Sequence, residues 1–262
     1  MNAASLLRAF REIGFNPRRL RLAARLPRFV GDIRRWKRQG GRVSSLYPIL
    51  SDWSDQAGGG SGAYFHQDML VARRIYESQP QRHIDVGSRF DGFVAHVAVF
   101  REIEVVDIRP MHNSIHNVKF LQADLMQSVA PLLAGTDSLS CLHALEHFGL
   151  GRYGDPIDPN GHLKGFKSLI AMLKPDGTLY LSFPIGRPVV EFNAHRVFDC
   201  EEVLRWPGCE SLRLERFDYV DDEGALHEEI PLSEIPVRCT ALVHGCGIYT
   251  FTRRRTSDGA AQ

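Results

Sequence analysis

The stretch HIDVGSRFDG at residues 83–92 decides the fold of this chain. It begins as a short apolar strand and ends in a glycine-containing turn. A helical pattern over 93–100 and a second apolar strand over 102–107 follow it. A strand, a helix and a strand within about 30 residues are typical of a βαβ unit, in which two parallel strands lie side by side. We therefore predict a parallel sheet at this point in the chain.

The alternation of strand and helix continues toward the C-terminus. Further strands are predicted at 118–121, 138–142, 178–183, 212–219 and 247–252. Further helices are predicted at 144–148, at 162–173 and from residue 201. This alternation is typical of an α/β domain in which helices cover both faces of one sheet. We place this domain at residues 63–255.

The composition is that of an ordinary globular protein. The chain has 262 residues, of which 44% are hydrophobic and 24% are charged, and this mixture excludes a collagen-like chain and a chain disordered throughout. No run approaches the roughly 18 apolar residues of a membrane-spanning helix. The five cysteines are widely spaced without a C-x-x-C pair, so we expect reduced thiols rather than a disulfide framework.

The charge is divided unevenly along the chain. Residues 1–40 contain eleven basic and two acidic residues, a net charge of +9, and the remaining residues sum to −8. The basic part shows short helical patterns, one of them opened by Pro27, and a glycine run follows at 58–60. We therefore predict a basic helical extension with a glycine-rich linker at residues 1–62, and a disordered tail at 256–262.

Polar residues cluster where the predicted strands end. In a doubly wound sheet, ligands bind outside the carboxyl ends of the parallel strands. Gly87 lets a backbone approach a ligand closely, and Asp107 can accept hydrogen bonds from both hydroxyls of a ribose. Asp124 can accept from an adenine amino group while Leu125 packs on the ring. The first turn is not G-x-G-x-x-G, which counts against a nicotinamide dinucleotide and suits a nucleoside ligand without phosphate.

Five stretches occur in a fixed order along the chain: HIDVGSRFDG, EIEVVDIRP, LQADL, DSLSCLHALEHFG and LKPDGTLYLSFP. In this order they resemble the motifs of the class I methyltransferases that use S-adenosylmethionine, over about residues 63–255. The resemblance implies a Rossmann-like seven-stranded mixed sheet of order 3-2-1-4-5-7-6 with an antiparallel last strand. The stretches FGLGRYGDPIDPNGH and EFNAHRVF resemble a methyltransferase-like group of unknown function whose members often belong to surface-polysaccharide biosynthesis.

The resemblance implies S-adenosylmethionine as the cofactor. The residues that match its binding motifs are Asp85, Gly87, Ser88, Arg89, Asp107, Ile108, Asp124, Leu125 and His143. Asp107 matches the acid that binds the ribose, and His143 lies in the stretch that runs under the methionine part. The chain departs from the usual pattern at Ser88-Arg89, where many members have a small residue followed by glycine. Arg89 either pairs with the methionine carboxylate or points to solvent.

Methyl transfer to an oxygen needs an acceptor held in line with the donor and a base that removes its proton. The candidate catalytic residues are His147, His195, Glu146 and Asp155. Histidine is the natural base near neutral pH, whereas Glu146 either orients a neighbouring loop or acts as a base. Asp155 and Asp158 belong to the insert GRYGDPIDPNGH, which either holds an acceptor hydroxyl or a divalent metal, or forms a solvated loop. On the 184–198 loop, Arg187, Arg196 and His195 would suit a phosphate or an acidic sugar.

Residues 143–147 also read H-x-x-E-H, an inverted zinc-protease pattern. On a helix, the two histidines would share a metal and Glu146 would act as the general base. A predicted strand directly precedes this stretch, and no third ligand is marked nearby. We therefore predict no metal site and keep a zinc hydrolase only as a remote alternative.

The sequence predicts an S-adenosylmethionine-dependent methyltransferase that O-methylates a sugar hydroxyl of a nucleotide sugar or surface glycan. This acceptor class rests on the resemblance and not on a particular residue. The alternatives are a non-catalytic scaffold with a methyltransferase fold in a glycan assembly complex, and a small-molecule or natural-product methyltransferase.

The basic extension at residues 1–40 has three interpretations. It forms a helical cap over the cofactor, attracts an anionic partner, or is a solvated face of small helices. The anionic partners that suit it are a phosphorylated carrier and an anionic membrane surface. We expect no nucleic-acid partner, because no recognised nucleic-acid module is present. We predict a cytoplasmic protein, peripheral to the inner face of the membrane if the extension binds lipid.

Overall fold

A computed structural model describes residues 22–52, 60, 62–127 and 135–255. The chain divides into two units between Gly59 and Gly60. The helices predicted before residue 22, most of the glycine-rich linker and the tail at 256–262 lie outside the described residues.

The described part of the first unit contains one α-helix, α1, at Leu26–Arg38. Pro27 lies in its first turn, where a missing backbone N–H costs nothing. Its last turn contains three basic residues, which the helix dipole favours there. The helix opened by Pro27 is therefore confirmed, whereas the anionic partner of residues 1–40 stays a prediction. Among the described residues, no helix is long and apolar enough to cross a membrane.

The second unit is built on an eight-stranded sheet of order β3-β2-β1-β4-β5-β10-β8-β9. Its strands are β1 His83–Val86, β2 Ile103–Asp107, β3 Val118–Gln122, β4 Thr136–Leu142, β5 Leu173–Ile185, β8 Leu212–Val220, β9 Leu226–His227 and β10 Gly245–Arg253. The pairs from β3 to β5 are parallel, and β10 is antiparallel to both of its neighbours. The predicted Rossmann-like class and the antiparallel last strand are confirmed.

The strand count differs in detail from the predicted seven. Seven strands follow the order 3-2-1-4-5-7-6, in which β10 corresponds to strand 7 and β8 to strand 6. Strand β9 adds an eighth at the edge. A separate hairpin joins β6, Val189–Glu191, to β7, His195–Val197, within a segment predicted as a loop. These additional strands have two or three residues each, too few to show a period in the sequence.

Helices cover both faces of the sheet, as predicted. They are α2 Ala63–Ser78, α3 Ala95–Ala98, α4 Gly161–Met172 and α5 Ile235–Cys239. Neighbouring residues of a strand point to opposite faces. Val106 of β2 belongs to the cluster that contains Phe166 of α4, and Val105 to the cluster that contains Ile75 of α2. The two clusters therefore lie on opposite faces.

Helix α2 was not predicted from the sequence. It buries apolar residues such as Val71 and Ile75, but it also buries Gln67, Asp68 and Arg74. These polar residues interrupt the apolar stripe by which an amphipathic helix is recognised. Arg74 is satisfied by a buried, two-point ion pair with Asp218 of β8, at 2.6 and 2.9 Å. This pairing depends on a residue 144 positions away.

Three predicted helices differ in kind or bounds from the prediction. The pattern at 93–100 belongs to a helical segment that begins earlier, with a π-helical turn at Phe90–Val94 that is irregular at Gly92, and continues as α3 to Ala98. The stretch at 144–148 forms only a 3₁₀ turn, Leu145–His147. The helix predicted from residue 201 is a 3₁₀ turn at Glu202–Arg205.

Candidate active site

A cleft of about 550 Å³ opens at the carboxyl ends of β1, β2 and β4. We call it the outer cleft; it adjoins a more apolar inner pocket whose walls include Val86, Val106 and Leu125. The residues that line both are Gly87, Asp107, Arg109, His143, His147 and Tyr153. The sheet therefore brings together residues that the sequence placed at separate strand ends.

The turn after β1 forms the edge between the two cavities. Gly87 has a φ of +76°, and a Cβ on it would lie 2.7 Å from the Cβ of Ala144, so this position requires glycine. The backbone N–H and hydroxyl of Ser88 both donate to Asp85, which also accepts from Ser140 at 2.6 Å. Burial raises the pKa of Asp85 to about 7. Asp85 lines neither cavity and instead holds the turn from behind.

Arg89 lies at the rim of the outer cleft. Its guanidinium donates to both oxygens of Asp91, at 2.9 and 2.6 Å. Both side chains are about 70% exposed, and an ion pair so exposed contributes little to stability. The structure thus places Arg89 at the cleft and in solvent contact at the same time.

Asp107 ends β2 with its carboxylate facing both cavities. One oxygen accepts from the backbone N–H and Nε of Arg109, at 2.8 and 2.9 Å, and the other accepts from its Nη2 at 2.6 Å. Sequence reasoning missed Arg109, although its position two residues after the acid was a signal. Ile108 between them lines the inner pocket, and its contact with a cofactor stays a prediction.

The inner pocket combines an apolar wall with a carboxylate. Asp124 and the buried Leu125 line it together with Ile108. One oxygen of Asp124 accepts the backbone N–H of Met126 at 2.9 Å, which holds the carboxylate in place. The structure thus brings together an apolar wall and a fixed acceptor at these two positions, and their contact with an adenine ring stays a prediction.

Helix α2 supplies part of the outer cleft that sequence reasoning missed. Tyr64, Gln67 and Asp68 line the cleft from this helix. The ring of Tyr64 lies 4.8 Å from the imidazole of His143. Burial raises the pKa of Asp68, although the Gln67 amide donates to its carboxylate.

Glu146 lies at the centre of a buried group behind the cleft. Its Oε1 is 3.0 Å from Nδ1 of His143 and 3.6 Å from Nε2 of His147. Burial alone would raise the pKa of Glu146, but the two histidines outweigh burial and hold it below its usual value. Its Oε2 is buried and has no hydrogen-bond partner among the described residues. Glu146 lines neither cavity, so it orients the histidines rather than facing a ligand.

His143 adopts a left-handed backbone conformation, with a φ of 49°. Its Nδ1 contacts Glu146, and its Nε2 lies 3.2 Å from Sγ of Cys246. Burial lowers the pKa of His143, but Cys246 and Glu146 outweigh burial and raise it well above its usual value. Because both ring nitrogens are engaged, His143 forms a wall of the cleft and is poorly suited to accept a proton.

His147 is held in one tautomer by a backbone carbonyl. Its Nδ1 is 2.6 Å from the carbonyl oxygen of Ala194. A carbonyl only accepts, so Nδ1 carries the proton and Nε2 keeps its lone pair in the neutral ring. Burial lowers the pKa of His147, which keeps the ring neutral near pH 7.

The other two catalytic candidates lie differently. His195 is on β7 and lines neither cavity; its Nε2 is 3.7 Å from Glu191, and its ring lies 6.4 Å from that of His147. Asp155 lines the inner pocket, but its carboxylate accepts the backbone N–H groups of Gly149, Gly151 and Tyr153. Asp155 therefore holds the loop in shape.

Two further expectations differ from the structure. Residues 143–147 do not form the helix that an H-x-x-E-H zinc site needs, because the strand ends in a left-handed residue and a single 3₁₀ turn follows. Among the described residues, no group of three or more potential ligands could hold a metal ion. Arg196 is buried and donates to the carbonyls of Glu146, Phe148 and Pro159, so it supports the site from inside.

The loop that carries Asp155 depends on Gly149. Its φ is +79°, and a Cβ on it would overlap the carbonyl oxygen of Asp158, whereas Gly154 has a φ of +83° with nothing within 4 Å. We expect Gly149→Ala to lower the free energy of unfolding by about 2 kcal/mol, and Gly154→Ala by about 1 kcal/mol. Urea unfolding of both variants measures the difference. Equal losses would show that the contact with Asp158 does not restrict the loop.

Comparison with known proteins agrees with this geometry at the level of fold. Residues 96–204 match a family described as Caenorhabditis protein of unknown function, DUF268. No protein with a curated description matches the chain.

Two solved structures share the fold. The [4+2]-cyclase SpnF is 16% identical with a TM-score of 0.52, over 72% of this chain and 81% of that one. The 1,6-didemethyltoxoflavin-N1-methyltransferase of Burkholderia thailandensis, solved with S-adenosylhomocysteine, is 14% identical with a TM-score of 0.51, over 78% and 82%. The chain therefore has the fold of class I S-adenosylmethionine-dependent methyltransferases. Since one neighbour is described as a cyclase, the fold alone does not specify the reaction.

Proposed function

We propose that this chain is an S-adenosylmethionine-dependent methyltransferase. The observation that carries the proposal is the convergence of Gly87, Asp107 and Asp124 on the inner pocket at the carboxyl ends of the parallel strands. These residues lie on three different strand ends, 37 positions apart in the sequence at most. This is the position where doubly wound sheets bind nucleosides.

The residues present fit this cofactor. Gly87 lines both cavities, so its backbone is accessible to a ligand there. Asp107 offers two carboxylate oxygens for ribose hydroxyls, and the inner pocket offers Asp124 and Leu125 for an adenine ring. His143 and Tyr64 form the wall of the outer cleft where the methionine part would lie. When bound, S-adenosylmethionine supplies an electrophilic methyl group.

His147 is the residue that we assign to the proton of the acceptor. It lines both cavities, and its Nε2 lone pair is available because Nδ1 is occupied by Ala194. Glu146, 3.6 Å from Nε2, stabilises the ring once it is protonated. A base oriented in this way by a carbonyl and a carboxylate is typical of general-base catalysis.

We propose a sugar hydroxyl of a nucleotide sugar or surface glycan as the acceptor. The outer cleft supports a polar acceptor, because charged and hydroxyl-bearing side chains, among them Arg89, Arg152 and Tyr153, line it. Its volume of about 550 Å³ leaves room for a ligand of that size.

Calorimetric titration with S-adenosylhomocysteine tests the cofactor, and transfer of a labelled methyl group to nucleotide sugars tests the acceptor. We expect one S-adenosylhomocysteine per chain and label in the sugar product. No binding at millimolar ligand would instead indicate a non-catalytic scaffold. If S-adenosylhomocysteine binds but the methyl group is transferred only to other small molecules, the acceptor belongs to the natural-product class.

A further inference from the structure

Arg109 occupies the carboxylate on which the proposed cofactor site depends. Three hydrogen bonds from Arg109 take up both oxygens of Asp107. The Asp107 side chain is 5% exposed, and that of Arg109 is 44% exposed. Asp107 is thus buried at the strand end, whereas Arg109 reaches its carboxylate from the more exposed side. Ribose hydroxyls and Arg109 cannot both use the same two oxygens fully.

Arg109 already contacts a second element of the cleft. Its guanidinium carbon lies 4.6 Å from the centre of the Tyr153 ring, and that of Arg152 lies 5.2 Å from the same point. The Tyr153 ring therefore contacts two guanidinium groups at the outer cleft, which all three residues line. Both arginines thus belong to the same part of the cleft wall.

The guanidinium of Arg152 has N–H groups beyond the one that it donates to the protein. Its Nη1 donates to the carbonyl oxygen of Ala194 at 2.9 Å. Within the described part of the chain, no carboxylate lies within 4.0 Å of its guanidinium. The carbonyl of Ala194 also binds Nδ1 of His147. A ligand held by Arg152 would therefore lie next to the proposed base.

We infer that Arg109 and Arg152 form a binding site for a diphosphate group carried by the acceptor, and that cofactor binding completes this site. The inference rests on the proposed function. When Asp107 takes up ribose hydroxyls, Arg109 loses its carboxylate partner while remaining against Tyr153. Two guanidinium groups then face the outer cleft without a carboxylate, and guanidinium forks bind phosphate oxygens in pairs.

In this arrangement the cofactor and the diphosphate bind cooperatively. A diphosphate that draws Arg109 away from Asp107 frees that carboxylate for the ribose, and the reverse also holds. Binding linkage requires the two effects to be equal. We expect S-adenosylhomocysteine to tighten diphosphate binding about tenfold, and the diphosphate to tighten S-adenosylhomocysteine binding by the same factor.

Isothermal titration of the full chain tests the inference with uridine diphosphate, geranyl diphosphate and uridine, each with and without S-adenosylhomocysteine. The two diphosphates share the charged group and differ in what carries it, and uridine lacks the charge. We expect both diphosphates to bind and uridine to bind weakly or not at all. A preference for uridine diphosphate identifies a nucleotide-borne acceptor, and a preference for geranyl diphosphate a lipid-borne one.

Three arginine variants separate this inference from its alternatives. Arg152→Gln should weaken diphosphate binding about tenfold and leave S-adenosylhomocysteine binding unchanged. Arg109→Gln should weaken diphosphate binding, remove the cooperativity, and leave S-adenosylhomocysteine binding equal or tighter. Arg213→Gln, at an exposed arginine of β8 that lines neither cavity, should change none of these values.

The opposing results are distinct. Diphosphate binding that is absent, or unaffected by Arg152→Gln, overturns the inference even where S-adenosylhomocysteine binds. Weaker S-adenosylhomocysteine binding in Arg109→Gln also overturns it, because Arg109 would then support the cofactor site rather than compete for it. Absence of S-adenosylhomocysteine binding in the unaltered chain overturns the proposed function and, with it, this inference.

Discussion

Asp107→Asn should weaken the binding of S-adenosylhomocysteine on the order of a hundredfold, about 2.7 kcal/mol. Asp107 is the last residue of β2 and lines both cavities, and its side chain is only 5% exposed. A charged acceptor forms hydrogen bonds of about 1.5–3 kcal/mol each, and the amide retains only one weaker acceptor. Calorimetric titration of the variant measures the loss.

Glu104→Gln is a matched control for this prediction. Glu104 is on the same strand as Asp107, and it also forms a two-point ion pair with an arginine, Arg82, at 2.7 Å for both contacts. It lines neither cavity. We expect its S-adenosylhomocysteine affinity to equal that of the unaltered chain. Equal affinities for Asp107→Asn and the unaltered chain would remove Asp107 from the cofactor site.

His147→Ala should lower the turnover number on the order of a thousandfold, with S-adenosylhomocysteine affinity within about threefold of the unaltered chain. The side chain that we assign as the base is lost, while the residues assigned to the cofactor remain. His195→Ala is the control, because His195 lines neither cavity and should cost much less. Methyl-transfer kinetics and calorimetry on both variants measure the two quantities. A larger loss in His195→Ala would transfer the role of base to His195.

The pH dependence of turnover gives a second readout for His147. A general base works in its unprotonated form, and burial lowers the pKa of His147 below the ordinary histidine value of 6.5. Turnover should therefore rise with pH through an apparent pKa below 6.5 and reach a plateau by neutral pH. A turnover that continues to rise through pH 8 would indicate a different base.

The sequence predicted the part of the site that depends on strand ends. A short apolar strand followed by glycine, and another followed by aspartate, are local patterns, and parallel pairing brings their ends to one edge of the sheet. Gly87, Asp107 and Asp124 could therefore be assigned to one site before the structure was known. The order of the sheet was predictable only through the resemblance, because strand neighbours are chosen by long-range packing.

What the sequence did not reveal depends on partners far along the chain. Gln67 and Arg74 are polar residues of a buried helix, and they are tolerated there because Ser182 and Asp218 satisfy them. Asp155 was assigned a catalytic role by its residue type, yet three backbone N–H groups of its own loop occupy its carboxylate. Residue type predicts the chemistry that a side chain offers, whereas its neighbours determine whether that chemistry is free for a ligand.

The hairpin of β6 and β7 influences the site through one backbone atom. The carbonyl oxygen of Ala194 accepts hydrogen bonds from both His147 and Arg152. A carbonyl is present whatever side chain occupies position 194, but its location depends on the number of residues between the two strands. Natural selection on this turn should therefore act on its length more strongly than on its amino-acid identity. Substitutions there can accumulate freely, whereas a single insertion would displace the proposed base and the proposed diphosphate ligand together.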